Sequence, residues 1–184
     1  SERAAERGAR VVALTMPTLV GMTMSFLTYS PIHQLPGWKT ILALPLALRM
    51  AELRKPDVRA KMLAGARSPE AGVFARVADF ANFKIGQTFS AANQGLTGRF
   101  VKDVAKERGK ADFDVLLDVV LADELKTVLW PEPPDGDAES WQMRKAAWES
   151  PHCLLGGSDA GAHLDRMCGA PYTTDFIADC LRGK

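Results

Sequence analysis

Residues 151–163, Pro-His-Cys-Leu-Leu-Gly-Gly-Ser-Asp-Ala-Gly-Ala-His, constrain the fold more tightly than any other stretch. From Cys153 to Gly157 the run is uncharged and largely apolar, with Pro151 before it and Ser158-Asp159 after it. A continuous apolar run, as opposed to an alternating one, marks a strand covered on both faces. Such strands belong to parallel sheets flanked by helices. Asp159 then falls just past the strand's C-terminal end, where α/β folds carry their functional groups. Gly156, Gly157, Ala160 and Gly161 are small enough to keep space open around that carboxylate.

The rest of the chain fits the same class. Residues 2–8 read as the end of a helix closed by Gly8, and residues 10–15 as a buried strand stopped by Pro17. Residues 16–38 form a long apolar connection, read as a packed helix over 18–27 followed by a surface loop, the alternative being a substrate-facing loop. Two short helices enter through Pro45 and Pro56, the second ending at Gly65, because proline is tolerated in the first helical turn. Ser68-Pro69-Glu70 starts another helix, and residues 73–89 hold one or two strands. A helix from Gly98 to Gly109 carries Phe100, Val101, Val104 and Ala105 on one face. Asp112 caps the next, with Phe113, Leu116, Leu117, Val120 and Leu121 at the 3.6-residue period. A strand over 125–130 and a proline-rich loop over 131–136 follow. Asp137 caps a helix over 138–149, and a last helix over 174–181 buries Phe176, Ile177, Cys180 and Leu181. Helices alternating with strands predict a parallel sheet or barrel.

Charge excludes two classes of partner. Lysine and arginine total 23 against 22 acidic residues, a net charge of +1. Neither nucleic acid nor an anionic membrane would be drawn to such a chain by charge. The apolar stretch 11–27 is broken by Pro17 and Gly21, short of the roughly 20 apolar residues of a membrane span. Three cysteines without CxxC spacing argue against a disulfide framework or zinc finger and point to a reducing, cytoplasmic setting.

Asp159 is the leading candidate for chemistry, the alternative being that Ser158 or Asp159 only caps a turn. His163 follows four residues later and Asp165 two beyond that. An aspartate and a histidine so close can share a metal or a proton path, or the histidine can simply be satisfied by local backbone. His152 opens the strand and so lies at its opposite end. His33, between Pro31 and Pro36, reads as structural or surface, and Cys153 as a packing residue. Ser158 lacks the GxSxG setting of a nucleophile elbow, and no GxxxxGK[ST] phosphate loop is present.

The run Gly156-Gly157-Ser158-Asp159-Ala160-Gly161-Ala162-His163-Leu164-Asp165 resembles the last-strand motif of the amidohydrolase superfamily, in the branch similar to N-acyl-D-amino-acid deacylases (D-aminoacylases). Upstream, Pro36-Gly37-Trp38, Leu42-Ala43-Leu44-Pro45 and Asp57-Val58-Arg59 resemble that branch's helical segment. So does the block from Gly98 to Leu125, with Gly109, Asp114, Leu117 and Asp118. The resemblance implies an α/β fold: part of a TIM-like (β/α)8 barrel, its last strands and helices, with residues 16–72 as a helical and loop insertion. It implies an enzyme that hydrolyses the amide C–N bond of a small N-acyl-D-amino acid with zinc as cofactor. Asp159 would stand beside the metal, possible ligand and general base, taking a proton from water whose pKa zinc lowers toward about 7. His163 would contact substrate. The same resemblance calls for a His-x-His pair, a bridging residue and two further histidines, whereas this chain has three histidines and no His-x-His. The expectation is therefore a C-terminal piece of a larger barrel, with residues 10–15 near the sixth strand, whose remaining metal ligands lie elsewhere. Its partner would be the rest of the barrel, and alone it would be inactive. The alternatives are a non-catalytic binding or scaffold domain that retains the motif, and a related enzyme acting on a cyclic amide.

Overall fold

The computed structural model describes residues 2–19, 21–133, 136–158 and 170–182. The architecture is a helix-rich mixture of α and β. It divides into two compact units: Ser1–Met22 with Pro133–Lys184, and Thr23–Glu132, which lies between them in sequence. Among the described residues, no helix is long and apolar enough to cross a membrane.

The first unit opens with α1 (Glu2–Ala5) and β1 (Ala13–Thr15). Gly8 takes a φ of 74°, the left-handed region that a side chain disfavours, and its N–H bonds the Ala5 carbonyl at 2.9 Å.

The second unit begins with a departure from expectation. Residues 23–27 are not helical. Met24 pairs antiparallel with Leu129, its N–H donating to the Leu129 carbonyl at 2.9 Å and its carbonyl accepting from Leu129 N–H at 2.8 Å. Burial explains the choice. Met24 and Phe26 are buried, while Thr23 and Ser25 between them are partly exposed, and that period of two is a strand's period. Three helices follow: α2 (Trp38–Leu42), α3 (Leu46–Leu53) and α4 (Pro56–Ala66). The prolines act as read, but Gly65 lies inside α4 and does not end it. Residues 69–78 wind as 3-10 turns kinked at Gly72, and only β2 (Phe83–Ile85) is a strand within 73–89. Then come α5 (Val101–Arg108), closed by Gly109 at φ 62°, and α6 (Asp112–Ala122). The strand expected over 125–130 starts late, because Glu124 and Leu125 hold positive φ; β3 is Leu129–Pro131, antiparallel to β2. Of residues 16–72, those up to Met22 belong to the first unit and those from Thr23 onward to the second.

Trp38 organises this unit's core. It is fully buried and its Nε1 donates to the Met62 carbonyl at 2.7 Å, which ties α2 to α4. Its ring lies 5.5 Å from Phe80, 5.7 Å from Phe113 and 6.1 Å from Phe26. Offset and tilted aromatic pairs at such spacings add about 0.5–1.5 kcal/mol each beyond area burial. Arg59 clamps α4 to α6: its guanidinium meets Asp114 and Asp118, each at 3.0 Å.

The first unit resumes with α7 (Ala138–Glu149), capped as expected by Asp137, whose Oδ1 accepts from Ser140 N–H at 2.9 Å. It ends with β4 (Cys153–Leu155) and α8 (Tyr172–Asp175), which runs into a π-helical turn, Phe176–Leu181. β4 pairs parallel with β1, Leu14 opposite Leu154. Two expectations fail here. These strands are not covered on both faces, for Leu14 is 69% exposed and Leu154 60%. Of the four apolar residues expected to be buried at 174–181, Ile177 and Leu181 are exposed. Among the described residues the sheets are this parallel pair and the antiparallel pair β2–β3, and neither closes into a barrel.

A Cβ built on Gly65 would stand 2.1 Å from the Pro36 carbonyl oxygen. Alanine normally gains about 1 kcal/mol over glycine inside a helix, but here the clash dominates. Gly65→Ala is expected to destabilise the protein by about 1–3 kcal/mol in urea unfolding. A stabilised variant would show that α4 is free to move off residue 36.

Candidate functional site

The stretch singled out from sequence follows β4 directly. β4 is held at its start by Ala13 N–H donating to the His152 carbonyl at 2.8 Å, and at its end by Gly156 N–H donating to the Thr15 carbonyl at 3.1 Å. The strand is three residues long, so it spans only about 10 Å. Gly157 then turns the chain with φ 85°. The two glycines do not simply leave open space. A Cβ on Gly156 would lie 3.1 Å from Leu14 Cδ1, and one on Gly157 3.4 Å from Leu14 Cδ2. The neighbouring strand's leucine therefore sits against the turn, and a larger residue at 156 would crowd it.

Asp159, His163 and Asp165 lie outside the described residues. His152 is half-buried at the N-terminal end of β4, the end opposite the motif, as its position in sequence suggested. His33 is in the other unit and is structural. It is buried in the 3-10 turn Pro31–Gln34, with Nδ1 3.2 Å from Ser30 N and 3.1 Å from the Ser30 carbonyl oxygen. Cys153 is half-buried, not enclosed, while Cys180 is buried with Sγ 3.9 Å from the Pro17 carbonyl oxygen. Among the described residues, no three of His, Cys, Asp and Glu come together as metal ligands do.

The most developed polar cluster is one that sequence reasoning missed, and it belongs to the Thr23–Glu132 unit. Asp123 ends α6 and is buried. Its carboxylate accepts from Ser90 N–H at 2.7 Å and from Thr127 Oγ1 at 2.6 Å. Asn93, also buried, donates from Nδ2 to the Val119 carbonyl at 2.8 Å. Burial pushes the Asp123 carboxyl up, but the hydrogen bonds from Thr127, Ser90 and Asn93 together outweigh it, and the net shift is downward. The hydrogen bonds favour the ionised carboxylate, and the cluster joins three segments of the chain. It fastens the 88–94 loop to the end of α6. It also supports the adjacent left-handed residues Glu124 and Leu125, at φ 53° and 66°, which cost about 1–2 kcal/mol each without glycine. Ser90 and Asn93 stand about thirty residues before their partners, and no local spacing signals the contact.

The first unit also contains a cleft of about 880 Å³ along α7, lined by Trp141, Lys145, Trp148, Leu155 and Phe176 among others. No protein-family model, curated protein or solved structure matches the chain.

Because the Asp123 carboxyl is lowered in the fold, its contribution to stability is complete above the ordinary carboxyl value of about 4. It is lost as pH falls through the lower folded value. Asp123→Asn is expected to cost about 1–3 kcal/mol at neutral pH and to flatten the fall in stability below pH 4. Urea melts at neutral and acid pH measure both effects. An equal loss of stability at both pH values would mean that the carboxylate charge is not what matters.

Proposed function

We propose that this chain forms the C-terminal part of an amidohydrolase barrel, similar to the N-acyl-D-amino-acid deacylases, which hydrolyses an amide C–N bond. The observation that carries the proposal is the parallel pairing of β1 with β4 immediately before Gly156-Gly157-Ser158-Asp159. A parallel strand whose C-terminal end runs straight into a carboxylate motif is the arrangement such enzymes use. The pairing bears on the strand count within this reading. If β4 is the eighth strand, the earlier strand hydrogen-bonded beside it would be the seventh, one later than the sequence reading placed residues 10–15. Unit Thr23–Glu132 is then an insertion between the last two strands.

In this reading Asp159, ionised, takes a proton from the attacking water as its oxygen adds to the acyl carbon. The C–N bond breaks, the proton passes to the departing amine nitrogen, and the products are a carboxylic acid and a free D-amino acid. His163 contacts the substrate. Zinc belongs to the intact protein in this proposal, with Asp159 as a possible ligand and the remaining ligands supplied from outside this chain.

In the intact protein, Asp159→Asn is expected to lower turnover of an N-acetyl-D-amino acid by about 10²–10⁴-fold while zinc content by elemental analysis stays the same. Near-normal turnover would remove Asp159 from the role of base. An intact protein that neither holds zinc nor hydrolyses the amide would favour the non-catalytic scaffold.

A further inference from the structure

Gly156 and Gly157 follow one another after β4, but they are glycine for different reasons. Gly157 holds a φ of 85°, where a side chain is strained. Gly156 keeps its φ outside the left-handed region, so its backbone would accept another residue. What a side chain there would meet is Leu14 of β1. A Cβ on Gly156 would lie 3.1 Å from Leu14 Cδ1 and 4.0 Å from its Cγ. The other branch, Cδ2, stands 3.4 Å from where a Cβ on Gly157 would be. The forked end of one leucine thus rests against both turn residues.

Leu14 keeps this contact although little encloses it. It stands opposite Leu154 in the parallel register, and both leucines are exposed. An exposed leucine is ordinary in itself. What separates Leu14 from Leu154 is the turn, since Leu154 brings no atom within 4 Å of either Cβ position. Two successive glycines are the least restrained pair of residues a chain can hold. The chain runs from them straight into Ser158-Asp159. A side chain packed on the pair removes part of that freedom at the entrance to the motif.

We propose that Leu14 is a positioning residue for the motif after β4: its side chain seats the Gly156-Gly157 turn and so limits the directions in which the chain enters Ser158-Asp159. The consequence for catalysis rests on the hydrolase reading; the seating is a property of the turn and does not. Misplacing a reacting group by about 1 Å costs up to about 10²-fold in rate, so loss of the seat is read in turnover.

NMR relaxation of the backbone amides in the whole chain tests the seating, and kinetics of the intact protein test its consequence. Leu14→Ala, at an exposed position, is expected to lower the order parameters of the Gly157 and Ser158 amides from about 0.85 toward about 0.6, whereas Leu154→Ala leaves them unchanged. In the intact protein, Leu14→Ala is expected to lower kcat for an N-acetyl-D-amino acid by about 10–10²-fold, with KM and zinc content unchanged and Leu154→Ala near normal. Gly156→Ala pushes Leu14 off the turn and is expected to lower kcat similarly. The double variant Leu14→Ala/Gly156→Ala is then expected to lose no more than the greater single loss. The inference is overturned by unchanged order at Gly157 and Ser158 in Leu14→Ala, by equal losses in Leu14→Ala and Leu154→Ala, or by single losses that multiply in the double variant. An unaltered intact protein without amide hydrolysis would overturn the hydrolase reading alone, and the relaxation measurement would still decide the seating.

Discussion

Two backbone hydrogen bonds, Ala13 N–H to the His152 carbonyl and Gly156 N–H to the Thr15 carbonyl, frame the parallel contact of β1 with β4. The functional reading rests on that contact, because it makes β4 a parallel strand and puts the Ser158-Asp159 motif after its C-terminal end. The contact joins segments separated by well over a hundred residues. Were the intervening chain floppy, closing such a loop would cost roughly 4 kcal/mol or more. It is not floppy. Met24 and Leu129 exchange two hydrogen bonds, so the chain leaves and returns through residues about 5.5 Å apart. Most of the loop is thus closed within the inserted unit, by contacts that unit makes for itself.

Those contacts are of two kinds. Apolar burial around Trp38, Phe80 and Phe113 supplies the bulk of the stabilisation. Polar pairing then fixes which helix meets which. Arg59 bonds two acidic residues one turn apart on α6, and Asp118 is held by Lys110 as well. Burial pushes the Asp118 carboxyl up and the bonds from Lys110 and Arg59 bring it down further than that, so it stays ionised. Asp123 does the same work at the other end of the helix. Neither carboxylate is placed for chemistry; both hold α6 in position.

What the sequence made legible was local. Asp137 as a helix cap, Pro45 and Pro56 at helix starts and Gly109 as a left-handed close depend on neighbours a few residues away, and each was readable. Misreadings came from distant partners. Residues 23–27 looked apolar enough for a helix, but Leu129 pairs with Met24 and selects the extended form. Gly65 looked like a stop, yet its small size is needed by the Pro36 carbonyl nearly thirty residues earlier. The strand ahead of the motif was legible in kind, though it is shorter than read, and exposed Leu14 and Leu154 contradict the cover expected on both faces. Asp159 and His163 lie outside the described residues, and their roles rest on the sequence motif.

The central structural claim is that Thr23–Glu132 is a self-sufficient insertion whose two ends are joined to each other. Hydrogen exchange and urea unfolding of the excised Thr23–Glu132 segment test it most directly. The account predicts one cooperative transition followed by the fluorescence of Trp38 and Trp130, with the Met24 and Leu129 amides protected to nearly the global unfolding free energy. A segment that lacks a cooperative transition, or that folds with those two amides exchanging freely, would contradict it.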